Sequence, residues 1–470
     1  MFGTLITVAY LAITLAGVGF ALDAILNART AQGTLAWVFA LIFFPVLAIP
    51  FYFVFGSRRF NGYVRARRKG NSRINQLAAT AYANLKPFAT AAQPTQGGRS
   101  MDFLGLMPMT GGNDARLLIN GAATFEAIFA AIDSASDYVL VQFYILRDDN
   151  LGRTLLTHLQ RARARGVRVY VLYDEVGSSR LSQLVLAMKG MGILVSPFKT
   201  TKGPRNRFQF NFRNHRKIVI ADGKVALIGG LNVGDEYMDR DPTCCPWRDT
   251  HIELRGPCVQ AVQMSFCEDW NWAVGKVPDF NWTPTADQAD ERVLIIPSGP
   301  ADPVETYLLL TLQLVASSKQ RIWIASPYFV PDEAVIAALQ LAALRGVDVR
   351  VIFPKNPDSV LVRLAARSVW TELLPAGVKM FCHGKGFMHQ KVMVFDDIAC
   401  VGTANLDNRS LRINFEMTAM VDDEGFAAEC VAMLENDLTD CVQVARDEWE
   451  KLGILQRLLS RTARMFAPIL

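Results

Sequence analysis

The chain has 470 residues, of which 51% are hydrophobic and 20% charged, and its eight cysteines form no C-x-x-C pair. This composition excludes a largely disordered chain and a small disulfide scaffold, while a mean hydropathy of +0.18 suggests membrane segments. Seven of the 49 lysines and arginines lie within residues 58–73, and without them the chain has 42 cations against 44 acids. A nucleic-acid enzyme spreads cations over its active face, so we expect no nucleic-acid partner.

Two stretches near the N-terminus, residues 1–22 and 30–57, carry no charged side chain. Each is long enough to cross a hydrocarbon layer of about 30 Å as a helix, so residues 1–57 are predicted to form a transmembrane helical hairpin. Pro45 and Pro50 leave a kink or a re-entrant half-helix open for the second stretch. A cleaved signal peptide is the alternative for the first stretch, but no Lys or Arg precedes its apolar run.

A basic juxtamembrane segment and linker are predicted for residues 58–105. The segment begins with the seven cations of residues 58–73, which we call the basic patch, and ends in a stretch rich in Ala, Pro, Gly and Thr. The positive-inside rule places this patch, and everything after it, on the cytoplasmic side of the membrane. We also expect the patch to attract anionic membrane lipid.

An internal repeat follows, because RGVRVYVLYD from Arg165 parallels RGVDVRVIFP from Arg345. Each copy follows a strand-like run and a helix-like run, which predicts two βαβ units and hence two similar α/β halves, residues 106–285 and 286–470. The second half ends in a predicted amphipathic helix, which either packs against the protein or lies in the membrane interface. Its apolar face comprises Ile454, Leu455, Leu458, Leu459, Met465, Phe466 and Ile469, with Arg457, Arg461 and Arg464 between them.

One motif, H-x-K-x4-D followed by a turn and an Asn, occurs once in each half. The residues are His215, Lys217, Asp222 and Asn232 in the first half, and His389, Lys391, Asp396 and Asn405 in the second. The alternation of side chains along a strand places His and Lys on the same side. The Asp turns the strand into a hairpin, and the returning strand brings the Asn back beside the His at the open end, which we call the mouth. We expect both Asp residues, although members of the catalytic motif, to hold backbone rather than to transfer protons.

Two such mouths facing each other across a pseudo-twofold axis offer two imidazoles, two ammonium groups and two amides. The lysines and asparagines suit the equatorial oxygens of a five-coordinate phosphorus, which makes Asn232 and Asn405 candidate phosphate-binding residues. One imidazole can attack while the other protonates the leaving oxygen. Because no acidic cluster suggests a metal, we expect no metal or other cofactor, with the lysines supplying the positive charge.

The paired motifs resemble those of the phospholipase D superfamily, and further stretches are similar to bacterial cardiolipin synthases. These stretches are the N-terminal hairpin, YILRDDNLG from Tyr144, YDEVGS from Tyr173, NHRKIVIADGKVALIGGLNVGDEY from Asn214, WRDTHIELRGP from Trp247, SPYFVPDE from Ser326 and NLDNRSLRINFE from Asn405. One departure from the pattern of these synthases is the cysteine-bearing stretch CHGKGFMHQK, which leads into the second motif. The resemblance implies two phospholipase D-like α/β halves with pseudo-twofold symmetry, held at the bacterial cytoplasmic (inner) membrane by a multi-pass anchor.

The resemblance also implies a transphosphatidylation in which phosphatidylglycerol is both donor and acceptor, giving cardiolipin and glycerol through a phosphohistidine. The residues themselves do not distinguish the two histidines, but family analogy makes His215 the nucleophile and His389 the general acid and base. Each is expected to need an orienting carboxylate. Asp249 is the candidate for His215, and Glu416, 11 residues after Asn405, is the candidate for the second motif.

Three other functions remain open at this point. A phospholipase D-like hydrolase would use water as the second acceptor, and a nuclease of the same superfamily is disfavoured by the slightly acidic chain outside the basic patch. A catalytically silent membrane scaffold would not need two intact motifs. The oligomeric state is left open by the sequence.

Overall fold

The structure of the chain is a computed structural model, which describes residues 2–27, 31–56, 63, 72–90, 98–202, 209 and 211–467. Six of the seven cations of the basic patch, and Ile469 of the predicted C-terminal face, lie outside the described residues. The seventh cation, Arg73, pairs with Asp279.

The N-terminal segment forms helices α1 (Phe2–Asn27), α2 (Ala31–Phe43) and α3 (Pro45–Phe55). The second predicted span is broken at Phe44, because Pro45 disfavours a helical conformation for the residue before it. Among the described helices α1 alone is long and apolar enough to cross a membrane. The prediction of a hairpin therefore holds in part: α1 meets the length of a span, whereas α2 and α3 are each shorter than the roughly 20 residues that a span needs.

Among the described residues, the first half contains nine strands and the second half eleven. In the first half they are β1 (Thr110–Ile119), β2 (Tyr138–Phe143), β3 (Arg168–Asp174), β4 (Leu194–Phe198), β5 (Arg213–Asn214), β6 (Ile218–Ala221), β7 (Val225–Gly229), β8 (Trp247–Arg248) and β9 (Thr250–Arg255). In the second half they are β10 (Glu291–Ser298), β11 (Arg321–Ala325), β12 (Phe329–Val330), β13 (Asp348–Pro354), β14 (Lys379–His383), β15 (Phe387–Met388), β16 (Val392–Phe395), β17 (Ile398–Gly402), β18 (Leu406–Asp407), β19 (Asn414–Asp422) and β20 (Cys441–Gln443).

Helices connect and cover these strands. They are α4 (Ser72–Leu85), α5 (Gly98–Leu104), α6 (Asn120–Ser134), α7 (Asn150–Ala164), α8 (Ser182–Gly190), α9 (Val259–Val274), α10 (Thr306–Ser317), α11 (Glu333–Leu344), α12 (Val360–Ser368), α13 (Trp370–Leu373), α14 (Asn408–Arg412), α15 (Glu424–Leu438) and α16 (Ile454–Arg464), with 3-10 turns at Lys86–Phe88 and Asp235–Met238.

The two halves share one strand order, which makes the internal symmetry visible. The first half runs β1-β9-β7-β6-β2-β3-β4, and the second runs β10-β19-β17-β16-β11-β13-β14 before ending at β20. Strands β1 and β10 pair antiparallel and join the two orders into a continuous sheet. The units β2-α7-β3 and β11-α11-β13 each place two strands in parallel. The predicted α/β fold with two similar halves is therefore confirmed.

The hydrophobic core lies in three main layers. The inner layer takes residues from both halves and includes buried aromatic side chains of α9 and the side chains of α15. An outer layer covers each half, with α6, α7 and α8 on the first and α10 and α11 on the second. Because both halves contribute to the inner layer, the strands that carry the two catalytic motifs face the interface between the halves.

Candidate active site

Each motif lies at the open end of a β-hairpin. Strands β6 and β7 pair antiparallel with Ile218 opposite Ile228, and strands β16 and β17 pair in the same way. The turns at Asp222 and Asp396 have left-handed backbones, with φ of 53° and 52°. At the other end of each hairpin stand His215 and His389, both buried.

The two histidines are held by carboxylates from opposite halves. His215 Nδ1 lies 3.0 Å from both carboxylate oxygens of Glu416. His389 Nδ1 lies 2.8 Å from Asp249 Oδ2. Both carboxylates are completely buried. This pairing differs from the predicted one, in which Asp249 would serve His215 of its own half.

Two short parallel strand pairs explain why the pairing crosses. Strand β5, just before His215, pairs with β19 of the second half, and β15, just before His389, pairs with β8 of the first half. The backbone N–H of His215 then donates to Phe415 O at 2.9 Å, and that of His389 donates to Arg248 O at 2.7 Å. Each of these carbonyls immediately precedes the partner carboxylate, so the crossed geometry is repeated by the pseudo-symmetry.

The two carboxylates have different further partners. Glu416 accepts hydrogen bonds from Thr403 Oγ1 at 2.6 Å and from Ser410 Oγ at 2.8 Å. Asp249 accepts one from the backbone N–H of Thr250 at 2.8 Å. Gly230 occupies the position that matches Thr403, and a Cβ atom there would overlap the Asp249 carboxylate. The glycine thus gives the first half room for its shorter carboxylate.

The lysines lie directly behind the histidines. Lys217 Nζ donates to His215 O at 2.6 Å and lies 5.5 Å from the centre of the Tyr144 ring. Lys391 Nζ lies 2.9 Å from His389 Nδ1 and also contacts His389 O. An ammonium group has three donors, so each lysine keeps donor capacity for a bound anion.

The aspartates of the motif lie away from the histidines, at the far turns. Asp222 accepts hydrogen bonds from the backbone N–H groups of Ser136, Asp137 and Tyr138. Asp396 accepts them from the backbone N–H groups of residues 319–321. Each carboxylate therefore holds a hairpin turn to the start of the neighbouring antiparallel strand, β2 or β11. The hydrogen bonds of both aspartates thus fit the expected backbone-holding role within the motif.

The catalytic cavity has a volume of about 1260 Å³ and is lined by both histidines and both motif asparagines. Asn232 is fixed, because its Oδ1 accepts from Ile145 N at 3.0 Å and its Nδ2 donates to Tyr237 OH at 2.9 Å. Asn405 Nδ2 donates to Asp407 Oδ2 at 3.2 Å, whereas its buried Oδ1 has no hydrogen-bond partner among the described residues.

Burial sets the protonation of the site. It lowers the pKa of His215 to about 4, against the opposing attraction of Glu416. It lowers the pKa of His389 as well. It also lowers the pKa of Lys217 to about 7 and that of Lys391 to about 8. At neutral pH the imidazole of His215 is therefore uncharged, as a nucleophile requires. A phosphate anion bound beside the lysines would favour their charged form and raise their pKa.

Several lining residues were missed by the sequence analysis. The ring of Tyr144 stands edge-on to His215 with centroids 4.9 Å apart. Trp247 lies 5.1 Å from His389, centroid to centroid. Arg213 and Arg409 also line the cavity, where they add positive charge. Tyr144 and Trp247 begin stretches that resemble the family, but neither has a counterpart in the repeated motif that would have singled it out. Within the described ranges, no group of three or more His, Cys, Asp and Glu side chains is placed to hold a metal ion.

Comparisons with known proteins agree with this geometry. A family model described as cardiolipin synthase, PLD-like domain, matches residues 128–266 and 311–438. A second, described as phospholipase D-nuclease N-terminal, matches residues 16–57. Among solved structures, a phosphatidylserine synthase from Haemophilus influenzae is similar, with a TM-score of 0.58 and 15% identity, covering 84% of this chain and 100% of that chain. At that identity the likeness shows the fold alone.

Curated relatives extend the match to almost the full length. The chain is 46% identical over 97% of its length to cardiolipin synthase A of Pseudomonas putida, with 96% of that protein covered. It is 45% identical over 98% of its length to cardiolipin synthase A of Pseudomonas aeruginosa, again with 96% of that protein covered. Together with the family model that matches more than half of the residues, these relatives show that the chain belongs to the cardiolipin synthase family of phospholipase D-like proteins.

Proposed function

We propose that this chain is a membrane-associated phosphatidyltransferase that joins two phosphatidylglycerol molecules into cardiolipin and releases glycerol. The observation that carries the proposal is the crossed pairing of His215 with Glu416 and of His389 with Asp249 in one cavity. Two oriented imidazoles in one cavity suit a double displacement at phosphorus, because one can form the covalent bond while the other moves the proton.

The crossed carboxylates select the reactive nitrogen. A carboxylate accepts the proton of Nδ1, so the lone pair of each neutral imidazole is on Nε2, the nitrogen that no described carboxylate engages. In the first step His215 Nε2 bonds to the phosphorus of the donor, and the bond from phosphorus to the glycerol oxygen breaks. His389 enters this step as the imidazolium paired with Asp249, and its Nε2 proton goes to the departing glycerol oxygen.

The second step reverses these roles. The terminal hydroxyl of a second phosphatidylglycerol gives its proton to His389 Nε2 and its oxygen bonds to phosphorus, while the bond to His215 breaks. The assignment of the nucleophile follows the family resemblance. Lys217, Lys391 and the amides of Asn232 and Asn405 would hold the phosphate oxygens, with Arg213 and Arg409 adding positive charge at the cavity wall.

The proposed location is the bacterial inner membrane, with the catalytic halves on the cytoplasmic side. Helix α1 has the length and composition of a membrane anchor, and the basic patch of residues 58–73 fits the cytoplasmic side by the positive-inside rule. An impermeant label on a cysteine at Asn27 should react from outside the cell, and one at Arg73 only after the membrane is opened. The reverse labelling would contradict the orientation.

Product analysis tests the reaction itself. The full-length chain, purified in detergent micelles, is given phosphatidylglycerol labelled in its phosphatidyl part, and the lipid products are separated. We expect cardiolipin together with an equal amount of glycerol. Phosphatidic acid as the sole labelled product would instead indicate a hydrolase that uses water as acceptor, and no turnover would contradict enzymatic function.

A further inference from the structure

The C-terminal helix α16 exposes its large apolar side chains, whereas an ordinary surface helix buries them. Its large apolar side chains point away from the protein: Ile454, Leu455, Leu458, Leu459, Met465 and Phe466 are all exposed, Leu458 at 61%. Its small residues face inward instead, where Ala463 and the following Ala467 are buried. We call the six exposed side chains the outer apolar face. An amphipathic helix in a soluble domain buries its large apolar stripe, so this face lacks the covering that its composition calls for.

Helix α16 is separated from the catalytic cavity by a single helix, α12. Helix α16 packs on α12, where Ala463 and Ala467 contact the cluster formed by Val362, Ala365 and Ala366. Val362 also lines the catalytic cavity. The exposed start of α12 adds further apolar surface, with Val360 exposed at 60%.

A second cavity lies next to the catalytic one, on the other side of Pro357 and Val362. It has a volume of about 320 Å³, runs between α12 and the strand β20, and shares Pro357 and Val362 with the catalytic cavity. Phe329, Phe353 and Trp370 contribute to its apolar wall. An apolar cavity that adjoins a phosphate-binding cavity fits the acyl part of a lipid better than it fits water.

Arginine side chains flank the outer apolar face, as they do in helices that lie at a membrane interface. Arg461 lies over the ring of Trp449, with its guanidinium carbon 5.9 Å from the ring centre. Arg457 Nε donates to Leu452 O at 2.9 Å, and Arg464 pairs with Glu372. Trp449 itself is buried, so the arginines form the border of the face. Arginines that border an exposed apolar face are typical of helices that lie at the headgroup level of a bilayer.

We propose that α16 docks its outer apolar face into the interface of the lipid bilayer and thereby brings the mouth of the catalytic cavity to the membrane surface. This inference rests on the proposed function, since that function places the substrates in the bilayer. Helix α1 holds the chain at the membrane by one end, and α16 would orient the catalytic halves so that lipids enter beside α12.

A photocrosslinking experiment tests the docking without requiring turnover. A benzophenone amino acid replaces Leu458 in the full-length chain, which is reconstituted in vesicles of phosphatidylethanolamine and radiolabelled phosphatidylglycerol. The matched control replaces Leu186 of α8, a leucine with a similar exposure of 63%. We expect a labelled lipid adduct at position 458 and none at 186. A protein dimer adduct at position 458, or no lipid adduct there, would overturn the proposal in favour of a second copy or a free surface.

Kinetics separate docking from catalysis. The double variant Leu455→Gln/Leu458→Gln should raise the apparent KM for phosphatidylglycerol in vesicles roughly tenfold and leave kcat unchanged, because two inserted leucines are lost. With a monomeric short-chain phosphatidylglycerol the double variant should match wild type, and Leu186→Gln should match it on both substrates. An equal loss on both substrates would overturn the docking. If the chain transferred no phosphatidyl groups at all, the crosslinking result would still stand.

Discussion

Glu416→Gln removes one negative charge and keeps the size of the side chain, so it isolates what the carboxylate does for His215 of the other half. In the wild type both carboxylate oxygens lie 3.0 Å from His215 Nδ1, which therefore keeps its proton. A glutamine amide can instead donate to Nδ1, and the imidazole proton then moves to Nε2. A protonated Nε2 in a neutral ring has no lone pair to attack phosphorus.

The magnitude follows from this change of tautomer. In the Ser-His-Asp triad the corresponding carboxylate-to-amide change lowers kcat about 10⁴-fold, which is about 5.5 kcal/mol of activation free energy. Glu416 also raises the pKa of Lys217, which burial lowers to about 7. Losing that charge leaves the ammonium less protonated at neutral pH. We therefore expect a loss of at least about 10⁴-fold in the rate of glycerol release.

The assay uses the full-length chain in micelles and follows both glycerol release and cardiolipin formation. Glu424→Gln is the matched control, because Glu424 is an exposed residue in the first turn of α15. Thermal unfolding checks that the variant folds. Proton NMR of histidine Nδ1–H groups adds a readout independent of turnover: Glu416→Gln should remove the signal that is also missing in His215→Ala. A loss below tenfold, or the disappearance of the His389 signal instead, would refute the crossed pairing.

Three further predictions test other parts of the site. His215→Ala and His389→Ala should each abolish product formation in the folded enzyme, and near-normal turnover of either would refute the two-histidine mechanism. Lys217→Arg should lower kcat about 100-fold because the planar fork of an arginine does not fit a fully buried ammonium site. For wild type, kcat/KM should fall as pH rises through about 7 to 8, because the free enzyme then loses the charged form of Lys217 and of Lys391. Asp222→Ala should cost about 2 kcal/mol of unfolding free energy in denaturant titration, since three backbone N–H groups lose their acceptor; unchanged stability would show that the turn holds without it.

Much of the architecture could be predicted from local signals. The repeated Arg-Gly-Val strings predicted the βαβ units, and the alternation around each H-x-K motif with its turning Asp predicted both hairpins. For the second apolar stretch the sequence left a kink or a re-entrant half-helix open, and the structure shows a break at Phe44. A proline indicates where a helix bends but not whether the helix continues beyond the bend. For α16 the pattern of residues predicted an amphipathic helix. Whether its leucines or its alanines face the protein depends on how α16 packs against α12.

The partner carboxylates could not be predicted in the same way, because they depend on contacts between distant segments. His215 and Glu416 are 201 residues apart in sequence, and His389 and Asp249 are 140 apart. Asp249 was the sequence-based candidate for His215. The two-residue strands that instead bring each histidine to the carboxylate of the other half are too short to show a strand pattern in the sequence. The domain boundaries proposed from composition and repeat stay predictions.

Two buried arginines that bind across the two halves explain how the crossed geometry is held. Arg216, next to His215, pairs with Asp269 at 2.8 Å, and its Nε donates to Glu416 O at 3.0 Å. Arg248, next to Asp249, binds Asp437 of the second half with two parallel hydrogen bonds of 2.7 and 2.8 Å. Breaking such a buried pair costs about 3–5 kcal/mol.

The same ion pairs also fix the register of the reacting groups. Asp437 Oδ2 accepts a further hydrogen bond at 2.7 Å from Gln390, the residue after His389. Arg216 thus links the segment of His215 to the strand of Glu416, while Asp437 links the segment of His389, through Gln390, to the segment of Asp249, through Arg248. Because an imidazole must meet phosphorus within a narrow range of distance and angle, a rigid connection across the interface suits this chemistry better than a flexible one. The active site is therefore a property of the joined halves, in which neither motif is complete by itself.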